Sequence, residues 1–263
     1  MDNRPIGIFD SGLGGITVLN ELKKTLPQEN YIYLGDTLNF PYGSKTKEQI
    51  IEFSEKNTQY LKSQNVKMIV IACGTATSQA LDEIKSKYNI YIEGIIEPTV
   101  DYVKNEKITK IGVIGTEGTI KSGAWEKYLK LKIPNIEVIN QACPILAEIV
   151  EENKAKTKEA QDAIHNYMKI FKENNVKNLI LGCTHYSIIE EVIKKEFDYD
   201  VNLINTGNTI ASKIKQELTK RKMLNKANHN NIKIAVSKYE KGFEKSIKNL
   251  LKSAKTLDIT YFN

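Results

Sequence analysis

The chain has 263 residues, of which 41% are hydrophobic and 27% charged; this is enough apolar material for a packed core and excludes a disordered chain. The net charge is +6, but the lysines are scattered through helical stretches with no basic block and no aromatic–basic interleaving, so a solvated surface explains them better than a nucleic-acid partner. Three cysteines without a C-x-x-C spacing argue against a disulfide framework and a structural zinc site, and fit a reducing cytoplasm.

The N-terminus, MDNRPIGIFDSG, enters a strand almost at once and has no signal-peptide apolar region. Strands are expected at PIGIFD (5–10), NYIYLGD (30–36), VKMIVIAC (66–73), IYIEGIIE (90–97), KIGVIG (110–115), IEVIN (136–140), VKNLILGC (176–183), VNLIN (201–205) and IKIAVS (232–237). The VKMIVIAC run, the longest of them in apolar character, is too short to span a bilayer. Between the strands lie amphipathic stretches such as ITVLNELKKTL, KEQIIEFSEKNTQYLKSQ, ATSQALDEIKSKY and AQDAIHNYMKIFKENN. Such alternation is the mark of βαβ units and a mostly parallel sheet.

The pattern also repeats at long range. IGIFD at Ile6 resembles IGVIG at Ile111, 105 residues on, and the strand ending at Cys73 resembles the one ending at Cys183, 110 residues on. The expected fold class is therefore α/β, with two similar domains whose mostly parallel sheets face each other across a central cleft. Residues 1–97 plus 207–263 form the first domain, carrying Cys73, and 98–206 form the second, carrying Cys183. Open α/β sheets bind ligands at the C-terminal ends of their strands, which aims both cysteines into one cleft.

Cys73 (IACGTAT) and Cys183 (LGCTHYS) each close an apolar strand just before a predicted helix. A helix N-terminus carries partial positive charge and unpaired N–H groups. It is expected to lower a thiol below the usual ~8.5 and to offer a site for a carboxylate. Two facing thiols suit proton transfer at a stereocentre: one removes a proton from one face while the other returns one to the opposite face, without a cofactor. Cys143, before Pro144 and without an equivalent in the other half, reads as packing.

Asp10 closes the first strand and is followed by SGLGG, which is neither a phosphate loop nor a dinucleotide fingerprint. Asp10 could orient Cys73, receive an ammonium group, or cap the next helix. His185, two residues beyond Cys183, is placed to stabilise a thiolate or move its proton. His165 and His229 read as ordinary helix and loop residues. Pro41, Tyr42 and Gly43 form a turn whose N–H groups could hold an anion. Thr116 and Thr119 occupy the turn that matches Ser11.

FDSGLGG (9–15), GDTLNFPYG (35–43), ACGTAT (72–77), IIEP (95–98), GTEGTIKSGAW (115–125), the ACP segment from 142 to 151, and LGCTHYS (181–187) together resemble the glutamate racemases of the aspartate/glutamate racemase family. The resemblance runs from residue 6 to about 207 and is loose beyond Asn208. It implies a two-domain cytoplasmic enzyme, cofactor-independent, metal-free and homodimeric, that interconverts L- and D-glutamate for peptidoglycan. It implies that Cys73 and Cys183 exchange the Cα proton, Cys73 for the D and Cys183 for the L enantiomer. Asp10, Glu151 and His185 would assist. Asp10, Ser11, Pro41, Tyr42, Gly43, Gly74, Thr75, Thr116, Thr119, Thr184 and His185 would bind substrate, with no nucleic-acid or membrane partner.

One residue departs from the family pattern in a way that touches the chemistry. Cys-Asn-Thr is usual, and here it is Cys73-Gly74-Thr75. A lost hydrogen bond to a charged group is worth ~1.5–3 kcal/mol, so restoring Asn at 74 is expected to raise activity. The departure leaves two alternatives to the glutamate reading: a racemase for aspartate or another amino acid, and a catalytically weakened binding protein on the same scaffold.

Overall fold

A computed structural model describes residues 2–226, 231–238, 243–251 and 257–261. The first half runs β1 (Ile6–Asp10), α1 (Ile16–Thr25), β2 (Tyr31–Gly35), α2 (Lys47–Ser63), β3 (Met68–Ile71), α3 (Gly74–Lys87), β4 (Tyr91–Gly94) and α4 (Ile96–Asn105). The second runs β5 (Lys110–Gly115), α5 (Glu117–Lys121), α6 (Ala124–Lys132), β6 (Glu137–Ala142), α7 (Leu146–Glu151), α8 (Lys158–Glu173), β7 (Asn178–Leu181), α9 (Glu190–Lys195) and β8 (Asn202–Asn205). α10 (Thr206–Lys220), β9 (Ile232–Val236), α11 (Phe243–Leu250) and β10 (Leu257–Tyr261) follow.

The strands form two sheets in which every pairing is parallel, ordered β10-β9-β2-β1-β3-β4 and β6-β5-β7-β8. The four strands from each half share one order, the second beside the first, then the third and fourth. The strands that echo each other in sequence, β1 with β5 and β3 with β7, therefore hold equivalent places. In this order the connections reverse direction between β1 and β3, and again between β5 and β7. Ligands in open α/β sheets bind at such reversals, outside the strands' carboxyl ends. Asp10 and Cys73 stand at the first, Thr116 and Cys183 at the second.

Each sheet is covered on both faces, as a parallel sheet must be. Ile8, Met68 and Val70 pack on α1, and Phe9, Ile69 and Ile71 pack toward α2 and α3. In the second sheet Leu179 and Leu181 face α8, and Ile111 and Val113 face α4 and α6. α10, although it follows β8, buries Ile210, Ile214 and Leu218 with Ile6, Ile16 and Leu19 of the first sheet's core.

The helices start where side chains satisfy their free N–H groups. Thr46 and Gln49 form a reciprocal capping box at α2, and the hydroxyls of Thr116 and Thr157 accept from the N–H groups of Thr119 and Ala160 at α5 and α8. No helix among the described residues is long and apolar enough to cross a membrane.

The strands differ from the sequence reading in two places. The apolar run IYIEGIIE divides after Gly94, so Ile96 and Glu97 open a helix and are not strand. Pro98 falls in that helix's first turn, where a missing N–H costs nothing. The strand at Leu257–Tyr261, unforeseen from sequence, adds to the edge of the first sheet beside β9.

Candidate active site

Two cysteines, 110 positions apart, line one cavity. Cys73 caps the start of α3, its Sγ 3.4 Å from the N–H of Ala76, and its thiol donates to Ser11 Oγ at 3.7 Å. Cys183 precedes a 3-10 turn over Thr184–Ile189, not the α-helix foreseen. Its Sγ is 3.7 Å from His185 Nδ1. Both are nearly enclosed, 6% and 7% exposed.

The cavity is also lined by Ser11, Pro41, Tyr42, Gly43, Gly74, Thr75, Thr116, Thr184 and His185, all foreseen, and by Phe40 and Ala147, which were not. Its volume is about 10 Å³, room for a single water. Asp10, Glu151 and Thr119 stand behind this wall. Thr119 closes a triangle of hydroxyls with Thr75 and Thr116, with edges of 2.8, 2.8 and 3.1 Å.

Asp10 is fully buried. It accepts from the Gly12 N–H at 3.1 Å and from the Thr184 hydroxyl, across the gap between the sheets, at 3.3 Å. Of the three roles open to it, helix capping does not apply in the expected form. The residue at the cap of α1 is Gly15, with no side-chain bond. Burial raises the Asp10 carboxyl above its usual range, against the pull of His185.

Glu151 lies behind His185, its Oε2 2.6 Å from Nε2. The imidazole thus bridges a carboxylate and a thiol. Burial works against its charged form, but the Cys183 and Glu151 hydrogen bonds and charges outweigh that and hold His185 well above the ordinary histidine value.

The helix N-terminus was expected to lower the thiols. At Cys73 the opposite holds: burial, reinforced by the Asp10 charge, pushes the thiol up to about 12. One N–H from Ala76 and one hydroxyl from Ser11 are too few to replace the water that is lost.

Gly74 also corrects an expectation. A Cβ at this position would fall 2.1 Å from the Gly182 carbonyl oxygen, a rigid backbone atom. The residue after one cysteine thus touches the residue before the other, backbone to backbone, and Asn cannot enter without moving the two segments apart. Similar close approaches occur at Gly14, where a Cβ would lie 2.5 Å from His185 Nδ1, and at Gly43, 2.7 Å from Thr116 Cβ.

The other sequence readings concern residues outside the cavity. Cys143 is fully buried among Leu146, Ile164 and Tyr186. His165 is half exposed and pairs with Glu196 at 2.8 Å; His229 lies outside the described residues. Sequence reasoning missed Asp36. It accepts from the Tyr42 hydroxyl at 2.6 Å, from Asn39 and from Ser237, and so moors the loop that carries Pro41 and Gly43. Its signal was available in GDTLNFPYG, where an acidic residue closes β2 as Asp10 closes β1.

Residues 13–214 match the family model described as Asp/Glu/Hydantoin racemase. A glutamate racemase of Limosilactobacillus reuteri is 38% identical over 247 residues, covering 94% of this chain and 91% of that one. One from Enterococcus faecalis is 44% identical over 203 residues, 77% and 74% of the two chains. The crystal structure of the Francisella tularensis glutamate racemase in complex with D-glutamate superposes with a TM-score of 0.93 at 33% identity, covering 100% of this chain and 98% of that one. The chain belongs to the aspartate/glutamate racemase family of isomerases and stands among its glutamate racemases.

Proposed function

We propose that this protein interconverts L- and D-glutamate without a cofactor, with Cys73 and Cys183 exchanging the Cα proton from opposite faces. The observation that carries the reading is that cysteines from equivalent strands of two sheets line one cavity. The relatives' names, and the D-glutamate in a close structural neighbour, supply the substrate.

In one direction a Cys183 thiolate, paired with the His185 imidazolium, takes the Cα proton of L-glutamate. The Cys73 thiol delivers its own proton to the other face. The turnover ends with Cys183 as thiol and Cys73 as thiolate, the starting arrangement for D-glutamate. Burial keeps Cys73 protonated until it donates, and Ser11 with the Ala76 N–H steadies the thiolate left behind. Glu151 holds His185 in line. The Thr75 and Thr116 hydroxyls, the turn at Pro41–Gly43, Ser11 and Thr184 hold the substrate's charged groups, with Thr119 and Asp10 orienting the threonine hydroxyls from behind. Preorganised donors of this kind stabilise the charge that develops at Cα.

A space of about 10 Å³ cannot hold an amino acid, so substrate enters by separation of two lobes, 1–97 plus 207–263 and 98–206. Closure then excludes water from the reacting carbon. The product would supply D-glutamate for peptidoglycan in the cytoplasm, from a homodimer.

Loss of optical rotation, followed for glutamate, aspartate and several other amino acids, tests the reading. Glutamate is expected to react fastest, and Cys73→Ser and Cys183→Ser each to lose about 10²-fold or more, the scale of one acid/base group. A protein that leaves glutamate unchanged, or a serine variant with the parent rate, would contradict it.

A further inference from the structure

Tyr33 has no part in the two-thiol scheme, yet its hydroxyl ends inside the glycine-rich turn before α1. It lies in the middle of β2, fully buried, and donates to the Gly12 carbonyl at 2.7 Å. The turn is wound tightly round it: a Cβ at Gly15 would lie 2.8 Å from the Tyr33 hydroxyl. The Gly12 carbonyl belongs to the peptide group that joins Gly12 to Leu13. The N–H of that same group donates to Glu151, from the other sheet's half, at 3.1 and 3.4 Å. Glu151 holds His185 Nε2 at 2.6 Å, and His185 Nδ1 faces Cys183 Sγ at 3.7 Å.

These contacts form one unbroken line, from the Tyr33 hydroxyl through a peptide group, a carboxylate and an imidazole to a thiol. A donor on a peptide's carbonyl polarises the group and strengthens its N–H as a donor. We infer that Tyr33 is a positioning residue for the Cys183 half of the reaction, fixing from the opposite sheet the peptide that orients Glu151. The line is complete only when the two halves are close together, because the Leu13 N–H and Glu151 come from different halves. Closing the cleft therefore aligns the imidazole behind Cys183. Burial, with the Asp10 and Glu151 charges nearby, pushes the phenol up, so it remains a donor at working pH.

The inference rests on the racemase reading, and its test separates the two. Tyr33→Phe removes one oxygen and keeps the ring. The variant is expected to lose about tenfold in kcat, the effect of one well-placed hydrogen bond, with KM little changed. kcat/KM must fall equally in both directions, since the two enantiomers are equal in energy. Glu151→Gln breaks the line at a later link, so adding Tyr33→Phe to it is expected to cost almost nothing more. A Tyr33→Phe rate within about twofold of the parent, well short of one hydrogen bond's effect, or losses that multiply in the double variant, would overturn the inference. A second measurement does not depend on how Tyr33→Phe folds. The Leu13 amide is expected to resist hydrogen exchange in the parent and to lose that protection in Glu151→Ala. Equal exchange in both would overturn the inference as well. A parent protein inactive on glutamate would instead remove the function, leaving the exchange result to decide the contact.

Discussion

At residue scale the position in the site with least room for a side chain is a glycine. Gly74 leaves room for the Gly182 carbonyl, which a Cβ would meet at 2.1 Å, so the two cysteine segments approach more closely than a side chain at 74 would allow. Gly74→Asn is therefore expected to lower kcat on glutamate by about tenfold or more, since small displacements of reacting groups carry large rate penalties. Steady-state assay of the purified variant checks this; a gain would mean that the segments part freely. The cysteines themselves were legible, because a thiol at the end of an apolar strand in each of two matching halves is a pattern. The packing at Gly74 was not, because the residue it meets is more than a hundred positions away. Tyr33 was hidden for another reason: an aromatic in a buried strand is what β-propensity alone would place there.

At the scale of elements, nine strands could be read from β-branched runs and their spacing. A further strand, Leu257–Tyr261, alternates apolar and polar residues as a half-buried strand does, and a search for continuous β-branched runs passes over it. The end of β4 was misplaced because the apolar run continues across Gly94 into α4, and periodicity cannot divide a run that is buried in both states. What fastens the elements at the foot of the first sheet also escaped notice. Lys67, entering β3, and Glu29, before β2, form an ion pair with both side chains fully buried. Lys67 also donates to the Asp2 and Met223 carbonyls at 2.9 Å each, and Glu29 accepts from the Asn225 N–H at 2.8 Å. The pair thus ties the N-terminus to the segment after α10. Lys67→Met leaves a buried carboxylate without its cation and is expected to cost about 3–5 kcal/mol. Urea denaturation would report this as a lower midpoint at unchanged slope. A midpoint equal to the parent's would show that the pair contributes nothing.

For the whole molecule, the long-range echo proved the most informative feature of the sequence. Two segments with the same strand order carry equivalent switch points, and residues from both line one cavity. Burying the site has a consequence for stability. His185 is held well above 6.5 and Cys73 is raised from 9.0 to about 12. Both groups bind their proton more tightly folded than unfolded. Each contribution is complete below the free-group value and lost as pH rises through the folded one. Folding stability is therefore expected to decline as pH rises above 6.5, and His185→Asn to flatten the first part of that decline. Urea midpoints across neutral and alkaline pH check it; a midpoint that rises with pH would contradict the assignment.

The central claim, that two thiols act from opposite faces, is tested most directly by where solvent deuterium goes early in the reaction. With L-glutamate in heavy water at low conversion, the D-glutamate formed is expected to carry deuterium at Cα while the recovered L-glutamate carries almost none. Deuterium entering recovered L-glutamate as fast as product forms would mean that one group serves both faces, and would contradict the account.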